Sequence, residues 1–139
     1  MQIHLSKSSE VDPKSRVLRE PNDLKDFSAM CLRNQPQRGF WTSCSNGWQE
    51  ALSDIQFRHV FEVKGNPNIL EIGSKSKRLQ VEKELGLGRF WYWREIARRF
   101  DAVHVHGEGI GGSLDLWHLD SMVWFNTKFL SHKAVVNLL

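Results

Sequence analysis

The stretch that most constrains this chain is Gly39-Phe40-Trp41-Thr42-Ser43, followed at once by Cys44-Ser45-Asn46-Gly47-Trp48. Two bulky apolar residues after a glycine pin a short strand into a core. Thr42 and Ser43 then set hydroxyls at the strand's exit, where a ligand can reach them. Asn46 offers a cap for a helix from Gly47 through Ile55, in which Trp48, Ala51, Leu52 and Ile55 share a face. A strand that ends in small hydroxyl residues and turns into a helix suits a bound cofactor better than plain core packing.

The rest of the chain alternates short strands with helices. Ile3 to Ser6 reads as a first strand, and residues 7–22, with Pro13 and Pro21, as a long loop. Asn22-Asp23 caps a helix over Leu24 to Leu32, stopped by Pro36 and Gly39. His59 to Val63 alternates as a strand does. Gly65-Asn66-Pro67-Asn68 turns the chain into a strand at Ile69 to Ile72. Ser74 opens a helix over Lys75 to Leu85, with Leu79 and Leu85 on a thin apolar face, broken by Gly86 and Gly88. A further helix is expected from Phe90 to Phe100. It carries Phe90, Trp93, Ile96, Ala97 and Phe100 on one side and Arg94, Arg98 and Arg99 on the other. Ala102 to His106, Met122 to Phe125 and Ala134 to Val136 complete the strands. The sum is a single α+β domain over residues 1–139, with six or seven strands in small sheets and three or four helices.

Length and composition set the outer limits. The 139 residues, 40% of them apolar, suffice for one core, and six Trp and eight Phe supply large buried areas or a stacking surface. No apolar run is long enough for a transmembrane helix. Met1 to Lys7 lacks the pattern of a signal peptide. Cys31 and Cys44 read as reduced thiols, so a cytoplasmic location is expected, with no membrane partner. The net charge of +3 hides an asymmetry. Residues 74–99 hold eight Lys or Arg against three Glu, whereas residues 100–126 hold four acids and no Lys or Arg. A basic face beside an acidic segment fits an anionic ligand near a carboxylate site, and equally a solvated helix beside a polar loop.

Several motifs dissolve on inspection. Gly107 to Gly112 contains a formal G-x-G-x-x-G after a strand. The helix, strand and distant acid of a dinucleotide fold have no room to follow, and no Walker lysine is present. The run reads as a loop or wide turn. His104 and His106 point to one face of a strand, and Glu108 extends the row. With His118 they offer nitrogen and oxygen donors, but their spacing matches no strong metal signature, so no metal is expected. Ser, His and Asp are present without a G-x-S-x-G elbow. Trp91, Tyr92 and Trp93 beside the arginines could stack bases and pair phosphates. This keeps open a second reading, a non-catalytic module that uses the basic helix of residues 89–99 to engage nucleic acid or an acidic protein.

Taken together, the order of elements resembles the ADP-ribosyltransferase fold, with its split small sheets and flanking helices. The small phage and bacterial members are the most similar. That family distributes its NAD-binding residues over three strands. His4 in Ile3-His4-Leu5-Ser6 matches the Arg or His of the opening strand. Trp41-Thr42-Ser43 matches the aromatic or small residue followed by Thr-Ser. The family's acid, usually a Glu on or before a later strand, is replaced here by Asp120 in Leu119-Asp120-Ser121, one methylene shorter, with Glu108 as the other candidate.

The resemblance implies NAD as substrate and transfer of ADP-ribose to a protein or nucleic-acid target. It implies that Asp120 or Glu108 is catalytic and that His4 bonds a ribose hydroxyl or the adenosine side. Thr42 and Ser43 would brace the cofactor and the acid, and Trp41 would form an apolar wall. Arg89 or Arg94 would lie near the pyrophosphate.

Overall fold

The computed structural model describes residues 1–139 except 17–33, 37–38, 45–46, 53 and 88–89. The helix expected at Leu24 to Leu32, together with Cys31 and Arg89, lies outside the described residues. Two small sheets and one short strand pair organise the rest. The first sheet has the order β1-β3-β9, with β1 (Gln2–Ser6), β3 (Phe57–Val63) and β9 (Leu130–Asn137), all antiparallel. The second has the order β2-β8-β7-β4, with β2 (Phe40–Thr42), β8 (Ser121–Trp124), β7 (Ala102–Val105) and β4 (Ile69–Ile72). Its β7–β4 pair is parallel and its other pairs are antiparallel. Reciprocal backbone hydrogen bonds of 2.8 Å between Ile3 and Ser43 join the two sheets.

The four-stranded sheet is a middle layer. Its residues alternate between two cores, as a strand buried on both faces requires. Met122, Trp124 and Ala102 face the three-stranded sheet and pack with Phe40 and Phe61. Val103, Val105, Val123, Leu70 and Ile72 face the helices and pack with Val81, Leu85, Ile96 and three tryptophans. Those helices are α2 (Lys75–Leu85) and α3 (Trp93–Arg99), and a short α1 (Gly47–Ala51) follows β2. Ser74 caps α2 by accepting the Lys77 N–H. The buried stripe of α2 is Arg78, Val81 and Leu85, and Leu79, expected on its apolar face, is exposed.

The helix expected over Phe90 to Phe100 is divided. Phe90–Trp91 forms β6 and pairs with β5 (Gly86–Leu87), so α3 begins only at Trp93. A buried asparagine far upstream causes the break. Asn34 Oδ1 accepts the Trp91 N–H (2.7 Å) and the Trp93 Nε1–H (3.2 Å). Its Nδ2–H donates to the Ser113 carbonyl (2.9 Å), and its own carbonyl accepts the Trp117 Nε1–H (3.1 Å). Trp91, Trp93 and Trp117 stack in series with ring centroids 5.7–5.8 Å apart, and Trp41 meets Trp117 at a tilt of 58° with centroids 5.0 Å apart.

The glycine run wraps an arginine. Arg78 Nη1 donates to the carbonyls of Glu108 (3.0 Å) and Gly109 (3.2 Å). Side chains at 111 and 112 would each meet the guanidinium at 3.1 Å. A Cβ at Gly109 would stand 2.0 Å from the Ile72 carbonyl oxygen, a contact only backbone movement can relieve. Gly109→Ala is expected to destabilise the fold by about 2–3 kcal/mol, read as a lower urea midpoint with an unchanged slope.

At the surface, Lys7 and Asp54 pair at 2.6 Å. The mutual hydrogen bond and charge raise the lysine's pKa and lower the carboxyl's. The carboxyl's contribution is lost as pH falls through its lowered value, and the lysine's as pH rises through its raised one. Both groups are fully exposed, so the effect is small.

Candidate functional site

β2 is an edge strand of its sheet, and its outer edge is where β1 departs and α1 begins. A cleft of ≈ 330 Å³ opens there. β1 contributes His4 with its neighbours Ile3 and Leu5, and the β2 segment contributes Trp41, Thr42 and Ser43. Trp48 and Gln49 of α1, with Leu52, Gln35 and Ser121, close it. Four of the residues singled out in the sequence, His4, Trp41, Thr42 and Ser43, therefore do converge.

Their hydrogen bonds define what each can do. The Trp41 carbonyl can only accept, so His4 Nδ1 donates to it (2.7 Å), and the ring stacks on Phe40 at 4.3 Å. This fixes the tautomer of a neutral ring and its orientation. Thr42 is buried, and its Oγ1 is committed to the interior. It donates to Gln2 Oε1 (2.6 Å) and accepts from Trp124 Nε1 (3.0 Å). The expectation that this hydroxyl reaches a ligand is corrected: Thr42 braces the strand exit. Ser43 Oγ donates to the Asp120 carbonyl (3.0 Å). Trp48 Nε1–H lies 3.2 Å from that same carbonyl and 2.9 Å from Ser121 Oγ.

Asp120 thus forms part of the cleft's frame through its backbone. Its carboxylate lies on the other face. Strand alternation places Asp120 with Met122 and Trp124, and Ser121 with Val123, so Ser121 looks into the cleft while the carboxylate meets His104 Nε2 at 3.2 Å. Ser43 is held to the acid's carbonyl, not to its carboxylate.

The other candidates are not brought to the cleft. Glu108 is exposed in a 3-10 turn, and its carbonyl serves Arg78. Arg94 is on α3, and its Nε is buried without a hydrogen-bond partner among the described residues. The aromatic platform imagined beside the arginines is mostly interior: Trp91 and Trp93 are each 1% exposed, and Tyr92 is 39% exposed. Arg98 and Arg99 both pair with Glu95.

Sequence reading missed Gln2, Trp48 and Ser121. Gln2 is buried between Thr42 and Cys44, donating to Cys44 Sγ at 3.0 Å. A polar residue opening an otherwise apolar strand was the available signal. Ser121 adjoins an acid that had been singled out. No helix is long and apolar enough to cross a membrane among the described residues. No family model, curated protein or solved structure matches this chain.

Proposed function

We propose that this protein is an NAD-dependent ADP-ribosyltransferase on an ADP-ribosyltransferase-like fold. It cleaves the nicotinamide–ribose bond and passes ADP-ribose to a protein or nucleic-acid target. The observation that carries this reading is the convergence of His4, Trp41, Thr42 and Ser43, from two separate strands, on one cleft whose wall is tied to Asp120. The cleft volume is at the lower end of small-molecule sites, enough for the nicotinamide–ribose half of the dinucleotide.

The chemistry needs little more. As nicotinamide leaves neutral, positive charge develops on the ribose, and a carboxylate beside it stabilises that charge. Asp120 acts from the rim. Its backbone is fixed by Ser43 and Trp48, but its carboxylate faces His104 on the other side of the sheet, so this reading requires the side chain to turn away from His104 before it can meet the ribose. A hydroxyl or amine of the target then bonds the anomeric carbon from which nicotinamide departed and gives up its proton to water. Trp41 supplies an apolar wall, and His4 offers a ring held in one orientation by the Trp41 carbonyl.

Binding is tested by melting the protein with and without NAD. A ligand at a hundredfold excess over its Kd stabilises the folded state by about 2.7 kcal/mol, several degrees in melting temperature. The rise is expected to shrink in His4→Ala. No rise at millimolar NAD would contradict the proposal.

A further inference from the structure

Beside the cleft, the same sheet carries a second cluster of side chains, which the NAD reading shares only at Asp120. β4 and β7 pair in parallel with Glu71 opposite His104, and β7 pairs with β8 with His104 opposite Met122. On the face that carries Met122, the row continues with Asp120 before β8 and His106 after β7. Glu71 Oε2 lies 2.8 Å from His104 Nδ1 and 3.2 Å from His106 Nε2. One suitable atom from each of the three residues lies within 4.8 Å of the others.

We propose that Glu71, His104 and His106 form a binding site for a divalent transition ion of the zinc type. The donor set is two imidazole nitrogens and one carboxylate oxygen, which suits zinc-type ions and not calcium or magnesium. Bonds of about 2.0–2.1 Å in a tetrahedron put neighbouring ligand atoms about 3.3 Å apart. The carboxylate-to-nitrogen distances already stand close to this.

The surroundings match a ligand set. His104 is 13% exposed, and its second nitrogen faces the Asp120 carboxylate at 3.2 Å. With an ion bound, Nε2–H is donated there and the Nδ1 lone pair is directed to the ion beside Glu71. This is the outer carboxylate that orients a metal-bound histidine. His106 is the more exposed partner at 38%, stacked on His104 at 4.3 Å. Its ring occupies the space above Gly73: a Cβ there would meet Cε1 at 2.6 Å and Nε2 at 2.8 Å. Glycine at this position lets the ring seat against the strand. The half-exposed Glu71 leaves the fourth position open to water or an anionic ligand.

Cys44 does not belong to this set. Its thiol, with His104 and Asp120, forms an overlapping trio, but it already accepts a hydrogen bond from Gln2. The proposal does not depend on NAD, since none of its three ligands lines the cleft.

The test is calorimetric titration of chelator-treated full-length protein with zinc chloride, with cobalt(II) absorbance as a second probe. One saturable site is expected. Glu71→Gln and His106→Ala should each weaken it by at least about tenfold, and Asp120→Asn by about 10–100-fold. Circular dichroism confirms that each variant is folded. Cys44→Ser, and His132→Ala on β9 of the other sheet, should leave affinity unchanged. Absence of saturable binding, full affinity in folded His106→Ala, or loss of binding in Cys44→Ser would overturn the proposal.

Discussion

Asp120→Asn is expected to lower transfer of ADP-ribose from NAD by at least about 10²-fold while leaving the protein folded. The substitution preserves shape and removes the charge that would stabilise the ribose cation. It spares the structural role of the residue. The Ser43 and Trp48 bonds go to the backbone carbonyl, which is unchanged. The side-chain amide still reaches His104. The melting temperature should therefore move by no more than about 2–3 °C, as for a surface change. Parallel measurement of label transfer and melting separates loss of chemistry from loss of fold. Wild-type transfer by the variant would remove Asp120 from the reaction.

Asn34→Ala is expected to have the largest effect on stability. Three side-chain hydrogen bonds disappear at a buried position, and two indole or backbone N–H donors, of Trp93 and Trp91, lose their acceptor. Orphaned buried donors cost about 1–3 kcal/mol each, giving a loss of about 3–5 kcal/mol. Asn34 also has φ = 48°, a left-handed conformation that asparagine tolerates better than alanine. The melting temperature should fall by about 10–15 °C. Asn34→Asp tests the mechanism separately. It keeps the acceptor for both tryptophans, but the lost Nδ2–H leaves a carboxylate oxygen facing the Ser113 carbonyl. A drop of about 2 °C or less in Asn34→Ala would mean the tryptophan series holds itself together without this residue.

What the sequence made legible was local. Ser74 announces the start of α2, and the alternation at His59 to Val63 announces β3. The Phe40 to Ser43 run announces both β2 and the place where it turns from core to cleft. What stayed hidden depends on pairing across long separations. The 3.6-residue spacing of Phe90, Trp93, Ile96, Ala97 and Phe100 is real, but Asn34 and the Leu85 carbonyl, which accepts the Tyr92 N–H, capture the backbone before the helix can start. Tertiary hydrogen bonds outweigh a weak helical preference there.

The same limit applies at the site. His104 and His106 were visible as neighbours on a strand, and Glu108 was the natural third member by spacing. The parallel pairing of β4 with β7 delivers Glu71 in its place, from 33 residues away. The glycine run imitates a phosphate loop because both need close backbone approach, but here the object approached is Arg78.

The most direct test uses NAD labelled separately in its nicotinamide and adenylate halves, incubated with the protein and a cell lysate, with protein and nucleic acid then analysed apart. The account predicts release of free nicotinamide together with adenylate label in one macromolecular fraction, both lost in Asp120→Asn. Nicotinamide held at the level of the buffer control, with neither fraction labelled, would contradict it.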